Sequence, residues 1–179
     1  MDLQELLSEI KIQENIIDNH NILFERVKNH TVWDASIKAR KTVSYGIPYN
    51  YSGMEYPFLK MPDYIDDALN IVNGKIGYIS NNCLINYYND GESKMGFHSD
   101  QTDLLYEGTG IAIVSLGNKR TMRFKNKENK EIIHDIDLSP NSLFYMTKEV
   151  QKFWLHAILP DIENKSSERI SLTFRKLID

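Results

Sequence analysis

The sequence predicts a mainly β domain with flanking helices, an α+β chain whose strands close into a sandwich or barrel. Three observations carry this. From residue 76 onward, short runs rich in β-branched and aromatic residues alternate with turn-forming clusters. Before about residue 75, apolar residues recur instead at helical spacing. A chain of 179 residues with 41% hydrophobic and 26% charged residues can bury one sizeable core.

Taken in order, Leu3, Leu6, Leu7 and Ile10 predict an N-terminal helix, and Ile22, Leu23, Phe24 and Val27 a second over Asn21–Asn29. Residues 42–58 set Tyr45, Tyr49, Tyr51, Tyr56 and Phe58 among Gly46, Pro48, Gly53 and Pro57. That mixture reads as strands and loops with aromatic rings at the surface or over a cleft. Pro62-Asp63 opens a helix through Ala68, Leu69 and Val72, with Gly74 as its stop. Strands follow at Cys83–Tyr88, Gly110–Leu116, Thr121–Lys125, Ile132–Leu138, Ser142–Met146, Phe153–Leu159 and Ile170–Phe174. Most end at turn residues such as Asn89-Asp90-Gly91, Gly117-Asn118 and Ser139-Pro140-Asn141. There is no internal repeat or low-complexity linker, so a single domain over 1–179 is expected. Helices and lid would occupy about 1–75 and the β core about 76–179.

Composition narrows the function classes. Cys83 is the sole cysteine, which excludes an intramolecular disulfide and a zinc site built on several thiolates. No apolar run reaches membrane-spanning length, and Met1-Asp2-Leu3-Gln4-Glu5 lacks a secretory pattern; an intracellular protein away from membranes is expected. A net charge of −4 opposes strong nonspecific duplex binding. Lys119, Arg120, Arg123, Lys125, Lys127 and Lys130 nevertheless cluster. Such a run fits either a nucleic-acid ligand or a solvated hairpin edge.

His98 and Asp100 stand two apart, so in a strand they share a face. His156, in a later strand, can return beside them in an antiparallel sandwich. Two imidazoles and one carboxylate suit Fe(II) with positions left open, and Zn(II) accepts the same set. Arg169, Ser171, Thr173 and Arg175 share one face of the last strand, with Ile170, Leu172 and Phe174 on the other. Inward arginines are costly unless an anion meets them, and a guanidinium grips a carboxylate bidentately. The alternative is an exposed pair on an edge strand.

These motifs, with Asn86-Tyr87-Tyr88, Ile113-Val114-Ser115-Leu116-Gly117 and Trp154-Leu155-His156, resemble the AlkB family of Fe(II)- and 2-oxoglutarate-dependent dioxygenases. The likeness covers roughly residues 22–175. Upstream, Arg40-Lys41-Thr42-Val43-Ser44-Tyr45-Gly46 and Tyr51-Ser52-Gly53 are similar to the family's nucleotide-recognition lid. The resemblance implies a double-stranded β-helix, or jelly roll, with helices outside it. It implies His98, Asp100 and His156 as iron ligands. Arg175 and Asn86 would meet the 2-oxoglutarate carboxylate beside the keto group, and Arg169, Ser171 and Tyr88 the distal one. Ser171 stands where many members have Asn.

The implied activity uses O₂ and 2-oxoglutarate to remove an N-linked methyl group from a DNA or RNA base, releasing formaldehyde, succinate and CO₂. Single-stranded nucleic acid is the expected partner, because a duplex base must first leave the stack. A monomer is expected. Tyr45 is the foremost residue for the target nucleotide, with Trp33, Tyr49 and Tyr51 as further aromatic candidates. Arg120 matches a basic family position near the substrate. DNA-repair members commonly place two acidic residues after the His-x-Asp step. Here Gln101-Thr102 stand there and Asp103 follows one residue late, as a substitute base contact. The same chemistry on a protein side chain or a modified tRNA base is a second reading, and a noncatalytic jelly-roll binding module a third.

Overall fold

The computed structural model describes residues 1–49 and 56–178. Among these, the strands form two antiparallel sheets. The larger has six strands in the order β1-β8-β5-β10-β3-β2, the smaller four in the order β4-β9-β6-β7. In chain order the elements are α1 (Leu3–Ser8), β1 (Ile10–Glu14), α2 (His20–His30), β2 (Lys41–Gly46), a 3₁₀ turn (Asp63–Ile65) and α3 (Asp66–Ile76). Then come β3 (Asn82–Tyr88), β4 (Met95–His98), β5 (Gly110–Gly117), β6 (Arg120–Asn126), β7 (Ile133–Leu138), β8 (Ser142–Thr147), α4 (Lys148–Phe153), β9 (Trp154–Ile158) and β10 (Arg169–Arg175). The mainly β jelly roll is therefore the observed fold; β3 and β5 to β10 begin and end within two residues of the sequence expectation, while β4 was not among the expected strands.

Two expectations on the N-terminal part are corrected. Ile10 does not extend the first helix: α1 is held by the Asp2–Glu5 capping box and ends at Ser8, and Ile10 starts β1, paired with Met146 of β8. Pairing with β8 gives the backbone groups of Ile10–Glu14 and of the β8 edge their hydrogen-bond partners, which a further helical turn would not supply to β8. Gly74 lies inside α3, and the helix stops at Gly77, whose φ of +81° is the left-handed C-cap that glycine adopts without strain. The region before residue 75 is thus not only helices and lid, since β1 and β2 each form an edge of the six-stranded sheet.

Alternation along the strands sorts side chains into two cores. On the outer face of the larger sheet, Val43, Tyr45, Cys83, Ile85, Tyr87, Val114, Leu116, Ile170, Leu172 and Phe174 pack beneath α2 and α3, which contribute Leu23, Phe24, Val27, Ala68 and Val72. On the inner face, Leu84, Tyr88, Ile113, Phe144 and Met146 meet Met122, Phe124, Trp154 and Ile158 of the smaller sheet. Burying one such side chain contributes about 1.5–3 kcal/mol. The site occupies a part of this inner layer where polar residues replace apolar ones.

Candidate metal and co-substrate site

Register places the two histidines. β4 and β9 are antiparallel neighbours, and His98 lies directly opposite His156, with ring centroids 4.3 Å apart. Asp100 sits two residues beyond the end of β4, so it is not on the strand as the i, i+2 argument assumed. Its Oδ1 still lies 3.4 Å from His98 Nε2 and 3.7 Å from His156 Nε2. One ligand atom from each of the three residues falls within 4.8 Å of the others.

The proton positions favour a cation among these atoms. His98 Nδ1 donates to the Gly96 carbonyl at 2.9 Å, which in the neutral ring leaves the Nε2 lone pair facing the carboxylate. His156 is held neutral: burial, then the neighbouring His98, pushes its pKa down to about 3. Burial alone would raise the Asp100 pKa, but Arg175 and the two imidazoles hold the carboxyl well below the usual carboxylate range. Two imidazole nitrogens turned toward one carboxylate are a divalent-metal donor set with no thiolate, and they fit Fe(II).

The arginines line the adjoining wall. β10 lies between β5 and β3, so it is an interior strand and the exposed-edge alternative is excluded. Arg169, Ser171, Thr173 and Arg175 face a space of about 460 Å³, open mouth included, shared with Tyr49, Asn86, Tyr88, His98, Asp100 and His156. Arg175 is 3% exposed, donates to Asp100 Oδ2 at 2.6 Å and stacks 4.2 Å from the Tyr49 ring centroid. Arg169 is 1% exposed; it donates to Ser115 Oγ at 2.9 Å and lies over the Tyr88 ring. Nε and one terminal nitrogen of each guanidinium are buried without a hydrogen-bond partner. A buried cation with donors to spare is costly, and an anionic occupant such as a dicarboxylate removes that cost. The residues present therefore fit 2-oxoglutarate as well as iron.

Residues 1–175 match the model of the 2OG-Fe(II) oxygenase superfamily. The chain belongs to this superfamily. Its relatives place this oxygenase in the AlkB family. It is 30% identical over 153 residues to the DNA oxidative demethylase ALKBH2 of Bos taurus, covering 78% of the chain and 53% of that protein. Over 177 residues it is 29% identical to protein R406 of Acanthamoeba polyphaga mimivirus, covering 97% of the chain and 86% of the relative. Among solved structures, that of OsALKBH1 superposes with a TM-score of 0.65 at 14% identity, covering 94% of the chain and 98% of OsALKBH1. The chain spans about half the length of the bovine relative.

The residues expected to meet the substrate are distributed differently. Tyr45 does not reach the site. On β2 it points to the helix side, where it is buried and hydrogen-bonded to Tyr64 Oη at 3.2 Å; Thr42 and Ser44 take the inner face. Trp33 also lies on the helix side, its indole donating to the Lys28 carbonyl and its ring 5.2 Å from Tyr87. Arg120 is 2% exposed and donates to the carbonyls of Asp90, Ser93, Leu159 and Ser167, which makes it a clamp on two loops rather than a substrate contact. Tyr49 lines the site, but against Arg175 rather than as an open stacking platform. Asp103 is exposed and accepts from Gln101 Nε2 at 3.1 Å. Tyr51 lies outside the described residues.

The basic run is largely matched on its own hairpin. Lys119 pairs with Asp137 at 2.8 Å and Arg123 with Asp135 at 2.6 Å, while Lys125 lies over the Phe97 ring and Lys127 donates to the Gln151 carbonyl. Three site neighbours escaped the sequence reading. Arg40 donates to Asn86 Oδ1 at 2.8 Å, which orients that amide at the pocket wall. Thr173 was on the correct face of β10 but carried no assigned role. Gln151, on a short and largely charged helix, gave no sequence signal at all.

Proposed function

We propose that this chain is an Fe(II)- and 2-oxoglutarate-dependent dioxygenase that oxidatively demethylates N-alkylated bases in DNA or RNA, releasing formaldehyde, succinate and CO₂. The observation that carries it is the pair of buried guanidinium groups with unpartnered donors beside the two-histidine, one-carboxylate cluster. His98, Asp100 and His156 would hold the metal. Arg175 and Asn86 would receive one carboxylate of the co-substrate, and Arg169, Ser171 and Tyr88 the other. Bound iron, 2-oxoglutarate and O₂ supply the oxidising chemistry. The chain's part is to bind, orient and keep water out: Leu84, Ile113, Met122 and Ile158 give the pocket its apolar wall. Neutral His156 offers its lone pair without first losing a proton at physiological pH.

A nucleic-acid substrate is supported by the name of the bovine relative, a DNA oxidative demethylase. Single-stranded DNA or RNA is the preferred form, because no base must be unstacked. Residues 1–179 act as one domain and as a monomer. The test is incubation of single- and double-stranded oligonucleotides bearing 1-methyladenine or 3-methylcytosine with Fe(II), 2-oxoglutarate and O₂. Formaldehyde release and a mass loss of one methylene from the base are expected. Succinate formation with no change in any oligonucleotide would favour the second reading, hydroxylation of a protein side chain or a modified tRNA base. That reading draws on one observation: Tyr45 and Trp33 lie on the helix side of the larger sheet and Arg120 is taken up by four backbone carbonyls, so the substrate side departs from the expected pattern.

A further inference from the structure

The two histidines are placed by strand register, and Asp100 is not. It lies past the last residue of β4, where no ladder hydrogen bond fixes its main chain. Its carboxylate also has a competing attraction, since Arg175 draws Oδ2 to 2.6 Å. Something else must keep Oδ1 turned to the histidines.

We propose that Gln151 is a positioning residue of the metal site, its side-chain carbonyl holding the Asp100 main chain so that the carboxylate meets His98 and His156. Gln151 Oε1 accepts from the Asp100 backbone N–H at 2.8 Å. The side chain is 4% exposed, and its Nε2 donates to Met146 Sδ at 3.1 Å. The Asp100 contact fixes the amide's direction: the reversed amide would set its NH₂ against the Asp100 N–H, donor to donor. The helix that carries Gln151 is itself tied to the end of β6. Lys127 donates from Nζ to the Gln151 carbonyl at 2.6 Å and from its backbone N–H to the Phe153 carbonyl at 2.9 Å.

Two neighbouring contacts make the restraint local to Asp100. Ser99 Oγ donates to the Trp154 carbonyl at 3.2 Å, and the Gln101 N–H donates to Tyr49 Oη at 3.0 Å. Residues 99, 100 and 101 are each tethered to a different element, with Gln151 on the ligand itself. Groups that orient a metal ligand typically change metal affinity 10–100-fold when removed.

The inference rests on Asp100 being a metal ligand, and the experiment separates the two. Mn(II) affinity is measured by calorimetry on the full chain without O₂, together with the visible absorption of the Co(II)-loaded protein and thermal unfolding in chelator. Asp100→Ala tests the ligand. If it leaves Mn(II) affinity unchanged, the metal-site reading itself falls. Given that loss, Gln151→Met, which keeps the length and apolar packing but removes both hydrogen bonds, is expected to weaken Mn(II) about 10–100-fold. It should also alter the Co(II) spectrum while shifting the metal-free unfolding midpoint by only a few degrees. Gln151→Glu keeps an acceptor for the Asp100 N–H and should restore the Co(II) spectrum. Should Gln151→Met fail to fold, Gln151→Asn replaces it: one methylene shorter, it does not span the contact, and the same weakening is expected. A folded Gln151→Met or Gln151→Asn protein with Mn(II) affinity within twofold of the parent and an unchanged Co(II) spectrum overturns the proposal.

Discussion

Replacing Arg169 by methionine separates the co-substrate role of this residue from a role in folding. Nε and one terminal nitrogen of its guanidinium are buried without partners. Two charge-assisted hydrogen bonds to a carboxylate are worth about 1.5–3 kcal/mol each. Losing both weakens the dicarboxylate by about 3 kcal/mol at the low end, or roughly 100-fold. Folding should respond in the opposite sense. Exchanging an incompletely paired buried charge for an apolar side chain of similar length is neutral or stabilising by about 1–4 kcal/mol.

Thermal unfolding under anaerobic conditions, with Mn(II) and with or without 2-oxoglutarate, reads both effects. At 100 times the dissociation constant, the ligand stabilises the parent by about 2.7 kcal/mol. For a chain of this size that is an upward shift of about 5–11 °C. At the same concentration Arg169→Met is half-saturated, gains about 0.4 kcal/mol and shifts by about 1–2 °C. Its midpoint without ligand should equal or exceed that of the parent. A full ligand shift in Arg169→Met, or a midpoint many degrees lower without ligand, refutes the assignment of this arginine to the co-substrate.

Further outcomes follow from the placement of individual side chains. Arg120→Met strips four buried or part-buried carbonyls of a donor and should lower stability by about 3 kcal/mol or more in urea titration. Oligonucleotide affinity of the remaining folded protein should stay unchanged. Tyr45→Phe loses the hydroxyl that bonds Tyr64, so a stability loss of about 1 kcal/mol and unaltered demethylation are expected; a turnover defect would return Tyr45 to the substrate. Burial would raise the pKa of Glu168, but hydrogen bonds from Lys28 and Tyr87 hold it below the ordinary glutamate value of 4.5. A depressed carboxylate contributes stability above its unfolded pKa and loses it as pH falls through the folded one. The stability gap between the parent and Glu168→Gln should therefore be constant near neutral pH and narrow below about pH 4.5, measured by denaturation at stepped pH.

Much of the fold was legible because alternation and turn chemistry coincide in the second half of the chain. The run Ile113–Gly117 followed by Asn118 leaves little choice of strand or end, and the alternating arginines of β10 name the inner face. The N-terminal half was harder, since local spacing there competes with pairing partners far along the sequence. Ile10 completes a helical stripe but joins β8, more than a hundred residues later, and no local signal records that edge. The residues of the His98, Asp100 and His156 cluster stood out as types in the sequence, yet Asp100 joins the two histidines through tethers rather than strand geometry. Tyr45 and Trp33 lie away from the pocket for a simple reason. An aromatic ring near a motif says nothing about which side of a sheet it occupies, and on β2 the parity turns Tyr45 toward the helices. Arg120 differs for another reason: it matches a basic family position near the substrate, but four carbonyls from distant loops take up its guanidinium.

The short edge strand β4 has a thermodynamic consequence. Its ladder to β9 is irregular, with Met95 opposite Ile158 and His98 opposite His156 as its recorded partners. An edge held by so few rungs frays more readily than the interior strands. A cation shared by His98 and His156 is a crosslink between the two strands, so ion binding and opening of this edge oppose one another. Amide exchange along Met95–His98 should slow when metal is added, while exchange in β10, enclosed on both sides, barely changes. The loading state of the centre is thereby written into the mobility of the strand that forms the rim of its pocket.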